Sequence, residues 1–112
     1  MSEQWLPIAG YTDYSVSDHG RVRNNRTGRI LRQCPRGRSN LYLGVNLWRL
    51  GRRKPFLVHR LVAKAFLPPS TNWLANEVNH FDCDPTNNHV SNLEWVTRWE
   101  NEAHKRFMEA TA

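Results

Sequence analysis

The chain has 112 residues, 39% of them apolar, and 16 Lys or Arg against 10 Asp or Glu, for a formal net charge of +6. That length fits one compact domain, or two small lobes sharing a core. No apolar run approaches the ~18–20 residues that cross a membrane, and the first residues lack the basic-then-apolar order of a secretory signal, so a cytoplasmic protein is expected.

The charge is unevenly spread. Residues 21–64 hold 13 Lys or Arg and no Asp or Glu, so +13 there faces −7 in the rest. A stretch of that size without a carboxylate implies a polyanionic partner, because each phosphate neutralised releases counterions. A face kept basic for solubility would intersperse the two signs. A nucleic acid is the expected partner, and charge alone does not separate DNA from RNA. Cys34 and Cys83 form no CxxC pair and suit a reducing compartment.

In chain order, short apolar pieces come first: Trp5-Leu6-Pro7-Ile8, Tyr14 with Val16, Val22, and Ile30-Leu31. Turn signals at Asp18-His19-Gly20 and Thr27-Gly28 separate them, which predicts brief strands. Arg21, Arg23, Arg26 and Arg29 on this segment are candidates for contact with a DNA backbone; the plainer reading is a β-scaffold whose arginines face water. Residues 32–40 read as a basic loop carrying Arg36 and Arg38. Residues 41–48 alternate Leu43, Val45 and Leu47 with polar or small positions, a strand pattern. A turn at 50–53 leads to a partner strand at 55–58, and Arg52, Arg53 and Lys54 make this a basic hairpin.

The period then changes. Val58, Val62 and Phe66 lie four apart, as do Leu61 and Ala65, so an amphipathic helix is predicted over 58–67, stopped by Pro68-Pro69. Arg60, a further DNA candidate, and Lys64 fall on its exposed side, and His59 at its start is read as structural. Trp73 and Leu74 in the following connector are expected to cover the core. Much of the packing is expected to come from the five tryptophans.

Residues 77–101, E-V-N-H-F-D-C-D-P-T-N-N-H-V-S-N-L-E-W-V-T-R-W-E-N, carry the chemistry. A strand is predicted at 76–81, a loop dense in turn formers at 82–91, and a returning strand at 93–96. Thr97 with Glu100 matches a capping box, so a helix begins there with Asn101 in its first turns. A hairpin followed by a helix brings Asn79, His80 and Asn101 toward one spot. Other readings of the loop fit less well. A calcium loop would need glycine where Asn87 stands and a bidentate glutamate where Leu93 stands. A zinc site from His80, Cys83 and His89 lacks a fourth ligand. Ordinary loop histidines would leave the placement of Asn92 and Asn101 unexplained.

Asn79-His80, the polar loop, Asn92-Leu93-Glu94-Trp95-Val96-Thr97 and Glu100-Asn101 resemble the ββα-metal motif of HNH endonucleases, most closely the phage and intron-type homing endonucleases. The earlier W-x-x-I-x-G-Y…Y-x-V-S-x-x-G-x-V pattern resembles the small module that often precedes this motif. The resemblance implies an α+β protein. It divides the chain into a basic β-rich DNA-binding module at 1–54 and a nuclease domain at 55–112, with the ββα motif at 76–108. It implies His80 as general base, Asn79 and Asn101 at the two metal-ligand positions, and Asn92 tying the loop and fixing His80.

The implied activity is nicking or cutting of duplex DNA with one Mg²⁺ or Mn²⁺ ion, in the host cytoplasm if the protein is phage-encoded, as a monomer or a homodimer. The ligand position before the base is often Asp or His in this superfamily, and here it is Asn79. Two neutral amides are expected to hold the ion weakly until DNA supplies a phosphate. The rival expectation is an inactive HNH-fold DNA-binding protein with Asn79 as the lesion.

Overall fold

A computed structural model describes residues 2–111, with the side chains of Arg38 and Thr111 outside the description. Among the described residues there are eight strands and two α-helices: β1 (Trp5–Ile8), β2 (Tyr11–Ser17), β3 (Val22–Asn24), β4 (Cys34–Arg36), β5 (Tyr42–Arg49), β6 (Arg52–Leu57), α1 (Val58–Phe66), β7 (Glu77–His80), β8 (Leu93–Val96) and α2 (Arg98–Thr111). The strands form three antiparallel sheets, β1-β2-β3, β4-β5-β6 and β7-β8. The architecture is the expected α+β one.

Helix α1 is the common wall of the three sheets. It packs against β1 and β2, against β5 and β6, and against β7 and β8. Its residues Val58, Leu61, Val62 and Ala63 are buried among Val16, Val22, Val45, Leu47, Val78 and Leu93. The apolar positions spaced three and four apart meet all the sheets because they form one broad stripe. The helix ends where Leu67 turns extended ahead of Pro68. Strand β6 runs without a break across residue 54, so the middle sheet joins the first half of the chain to the second.

Three expectations need correction. The segment 32–40 is not simply a loop. Cys34–Arg36 pairs with β5, and the glycine at 44 leaves room for the Arg36 side chain, which would lie 2.5 Å from an added Cβ. The strand is three residues long, contains Pro35 and sits at the sheet edge, where a missing N–H costs no ladder bond. The tryptophans do not build the core. Trp48, Trp73 and Trp99 are 54%, 84% and 68% exposed, Trp95 packs only at the edge, and the interior is made mostly of valine and leucine. Trp73 therefore does not cover the core, and Leu74 beside it is also exposed. Cys34 and Cys83 are exposed free thiols.

Candidate active site

The ββα segment is built by local chemistry that can be followed bond by bond. Strand β7 pairs with β8 so that Glu77 faces Val96, Asn79 faces Glu94 and His80 faces Leu93. Between them the loop is held by its own polar groups. Asp82 accepts from the backbone N–H of Asp84 (2.8 Å) and the side chain of Asn87 (2.8 Å). These bonds, the Asn87 one foremost, lower the Asp82 carboxyl below its ordinary range. Asn92 closes the loop. Its amide donates to Asp82 Oδ1 and to the Asn87 carbonyl, both at 2.9 Å, and its Oδ1 accepts from the Asp82 N–H at 3.2 Å.

Helix α2 starts at the predicted capping box. The Glu100 N–H donates to Thr97 Oγ1 (3.1 Å) and the Thr97 N–H to Glu100 Oε1 (2.8 Å). Two otherwise unpaired donors are thereby satisfied and the helix start is set in register. Asn101 follows one residue later on the inward side, 9% exposed. His104, one turn on, binds the Phe81 carbonyl through Nε2 at 3.1 Å and ties the helix back to the loop.

A cleft of about 260 Å³ results, lined by Tyr42, Asn79, His80, Cys83, Asn101 and Lys105 among others. Asn79, His80 and Asn101 are each buried to a tenth exposure or less. The Asn79 amide nitrogen donates to Glu94 Oε1 and the Asn101 amide nitrogen to Glu77 Oε1, each at 3.0 Å. His80 Nε2 lies 2.8 Å from Asn88 Oδ1 in a fully buried hydrogen bond. An amide oxygen only accepts, so the ring donates through Nε2, and in the neutral imidazole Nδ1 is then the accepting nitrogen. The His80 ring also stacks on Tyr42 at 6.2 Å and meets His59 edge-on at 5.2 Å. His59 itself contacts Tyr42 at 4.9 Å. Burial, followed by the neighbouring His80 and Arg60, pushes the His59 imidazole down to about 4.

Asn88 was missed from the sequence. Asn92 binds Asp82 and Asn87, while the ring of His80 is held by Asn88, eight residues after it in a loop where Asn87 and Asn88 look alike. Tyr42 and His59, which enclose the His80 ring from β5 and α1, were also not assigned to the site.

The basic candidates divide by what they already hold. Arg21 forms a two-pronged pair with Glu3, its Nε at 3.0 Å, which lowers the Glu3 carboxyl to about 2. Arg23 lies over the Trp5 ring at 4.2 Å. Arg60 donates to the Asn76 carbonyl at 3.1 Å and sits 5.9 Å from the Trp95 ring. Arg36 is half-buried with its Nε enclosed. Lys54 is exposed, 5.4 Å from the Phe56 ring. Arg26 and Arg29 are exposed on the β3–β4 connection, as are Arg52 and Arg53 on the β5–β6 hairpin. The side chain of Arg38 lies outside the described residues. Strand β5 begins at Tyr42 beside His80, and its far end is seven residues away, so Arg52 and Arg53 stand roughly 24 Å from the cleft along the strand.

A cation at this cleft would meet neutral oxygen donors. Both amide nitrogens are engaged, which leaves the amide oxygens of Asn79 and Asn101, a donor type that suits a hard ion such as Mg²⁺. Among the described residues no three His, Cys, Asp or Glu side chains are grouped so as to hold a metal by themselves.

Known proteins share this arrangement. The family profile of the NUMOD4 motif matches residues 3–48, and that of HNH endonuclease matches residues 56–103. An uncharacterized HNH endonuclease, L245, of Acanthamoeba polyphaga mimivirus is 35% identical over 104 residues, 93% of this chain and 30% of that protein. The DNA endonuclease I-HmuI of Bacillus phage SP01 is 37% identical over 97 residues, 85% of this chain and 53% of that protein. A solved structure of the HNH homing endonuclease I-HmuI, described for DNA binding and cleavage, superimposes with a TM-score of 0.80 at 32% identity, covering 97% of this chain and 60% of that one. The chain thus spans less than two thirds of the length of each of these relatives. The chain therefore carries a NUMOD4 motif in its first half and, in its second, an HNH endonuclease domain whose ββα segment forms the cleft.

Proposed function

We propose that this chain hydrolyses phosphodiester bonds in duplex DNA as a divalent-metal-dependent endonuclease, with His80 as general base and Asn79 and Asn101 holding one Mg²⁺ or Mn²⁺ ion. The observation that carries the reading is the meeting in one cleft of an imidazole with its Nε2 committed to Asn88 and two amides with their nitrogens committed elsewhere. His80 Nδ1 accepts a proton from the attacking water, and Asn88 holds the ring so that this nitrogen keeps its lone pair. When bound, the ion polarises the scissile phosphate and stabilises the departing 3′ oxygen. Asn92 keeps the loop closed beneath the base.

The basic stretch supplies sequence-independent grip on the duplex, through Arg26, Arg29, Arg52, Arg53 and Lys54, which are exposed and form no ion pair among the described residues. Arg23, Arg36 and Arg60 lend charge from positions already packed against the protein, and Arg38 lies on the same basic tract. Residues 1–54 act as the DNA-gripping module and 55–112 as the cutting one, in the cytoplasm of the cell that houses the target DNA.

A supercoiled plasmid incubated with Mg²⁺ or Mn²⁺, with and without EDTA, tests the reading. Metal-dependent nicking that vanishes in His80→Ala, with DNA binding retained, is the expected result. Binding without cleavage under either metal would instead make the chain an inactive DNA-binding member of the family. The ratio of nicked to linear product reports whether one copy or two act on the duplex.

A further inference from the structure

Glu77 and Glu94 each stand behind one of the two asparagines. Glu94 is the cross-strand partner of Asn79 in the β7–β8 ladder, and Glu77 lies two residues before Asn79 and reaches across to α2. Each accepts one hydrogen bond from an asparagine amide nitrogen at 3.0 Å. Neither glutamate lines the cleft, whereas both asparagines do.

An asparagine amide ordinarily has two orientations that differ by exchanging its oxygen and nitrogen. A carboxylate neighbour removes that freedom, because the flipped amide would set oxygen against oxygen while the engaged one makes a charge-assisted bond. With both nitrogens held by glutamates outside the cleft, the amide oxygens are the groups left to serve the cleft that both asparagines line. The two pairs come from different elements, one across a β-ladder and one between strand and helix.

We propose that Glu77 and Glu94 are positioning residues for the metal: they fix the Asn101 and Asn79 amide oxygens toward the cleft and place negative charge one hydrogen bond behind two neutral ligands. The inference rests on the assignment of Asn79 and Asn101 as metal ligands. It also accounts for how an amide can stand where Asp or His is common. The ligand is neutral, but the carboxylate behind it polarises the amide and adds its field at the ion.

The test is Mn²⁺ binding followed by electron paramagnetic resonance of the free ion, with the His80→Ala protein bound to a short duplex so that no turnover occurs, and the duplex alone as blank. In that background Glu94→Gln and Glu77→Gln keep an acceptor oxygen and lose the charge. Each is expected to weaken Mn²⁺ about tenfold or more, the range that partners of metal ligands command, with DNA affinity unchanged. Glu94→Gln is expected to add nothing once Asn79 has been changed to Ala, since its effect runs through that amide.

If both Gln variants bind Mn²⁺ as tightly as the parent while Asn79→Ala and Asn101→Ala lose it, the positioning role is wrong and the ligand assignment stands. If the two Ala variants also keep their affinity, the ligand assignment itself fails. Circular dichroism checks that each variant is folded, and Glu77→Gln carries the test through Asn101 should Glu94→Gln not fold.

Discussion

The turn at residues 18–20 of the first sheet is built against the loop that holds His80, and one methyl group tests that contact. Gly20 adopts φ +86°, and a Cβ placed on it would meet Asn88 Cβ at 2.9 Å and the Asn88 carbonyl oxygen at 3.0 Å. Around it, the Val90 N–H donates to the Asp18 carbonyl at 2.8 Å and Gln33 Nε2 to the Gly20 carbonyl at 2.7 Å. Gly20→Ala therefore carries two costs. The left-handed backbone costs an L-residue roughly 1–2 kcal/mol, and pushing a packed neighbour aside roughly 1–3 kcal/mol more. Gly28 separates them, because it has φ +75° with nothing within 4 Å of an added Cβ. Gly28→Ala should show the first cost alone in urea denaturation, and Gly20→Ala both.

The second consequence is catalytic. Relieving the overlap moves Asn88 by about half an ångström, enough to stretch a 2.8 Å bond to His80 out of the good hydrogen-bond range. Misplacement on that scale costs roughly tenfold in rate, read as nicking per folded molecule at a temperature where both variants are native. Equal urea midpoints for Gly20→Ala and Gly28→Ala would refute the contact. Unchanged nicking by folded Gly20→Ala would refute the link from the turn to the base.

Two further outcomes follow from the packing. His59 is held near 4 in the folded protein against 6.5 in the unfolded chain, so the unfolded state takes its proton first as pH falls. Stability from this group is complete above about 6.5 and declines down to about 4, by roughly 3 kcal/mol in all, and His59→Phe should flatten urea midpoints measured across that interval. The lowered carboxyls of Glu3, Glu100, Asp82 and Asp84 start to lose their own contribution from ordinary values of 4.5, 4.5, 3.8 and 3.8, so the His59 effect is read in the upper part of the interval, above about 5. On DNA, Arg52→Ala and Arg53→Ala should each reduce the salt dependence of binding by about one counterion, whereas Arg21→Ala, whose charge Glu3 already meets, should leave that slope unchanged.

What could be read from the residues alone was whatever closes over a few positions. The capping box needs only Thr97 and Glu100, and the hairpin register follows from two short strands and a polar loop. Asn79, His80 and Asn101 therefore landed together as their spacing implied. What could not be read depends on partners far along the chain. Strand β4 exists because β5 offers it an edge, and nothing in Cys34-Pro35-Arg36 announces a strand. Arg21 looked like one more phosphate contact until Glu3, 18 residues earlier, was found against it.

The same reasoning explains why the support of His80 was misplaced. Asn87, Asn88 and Asn92 have the same side chain, and pattern alone cannot say which one is turned toward the ring. Part of what sets it lies at Gly20, 68 positions before Asn88, whose bare α-carbon lets the first sheet pack directly against the residue that meets the His80 ring. The segment proposed to grip DNA thus also packs against the loop that holds His80. Cutting the chain between the two halves is expected to remove a support of the His80 ring together with the proposed grip on the duplex.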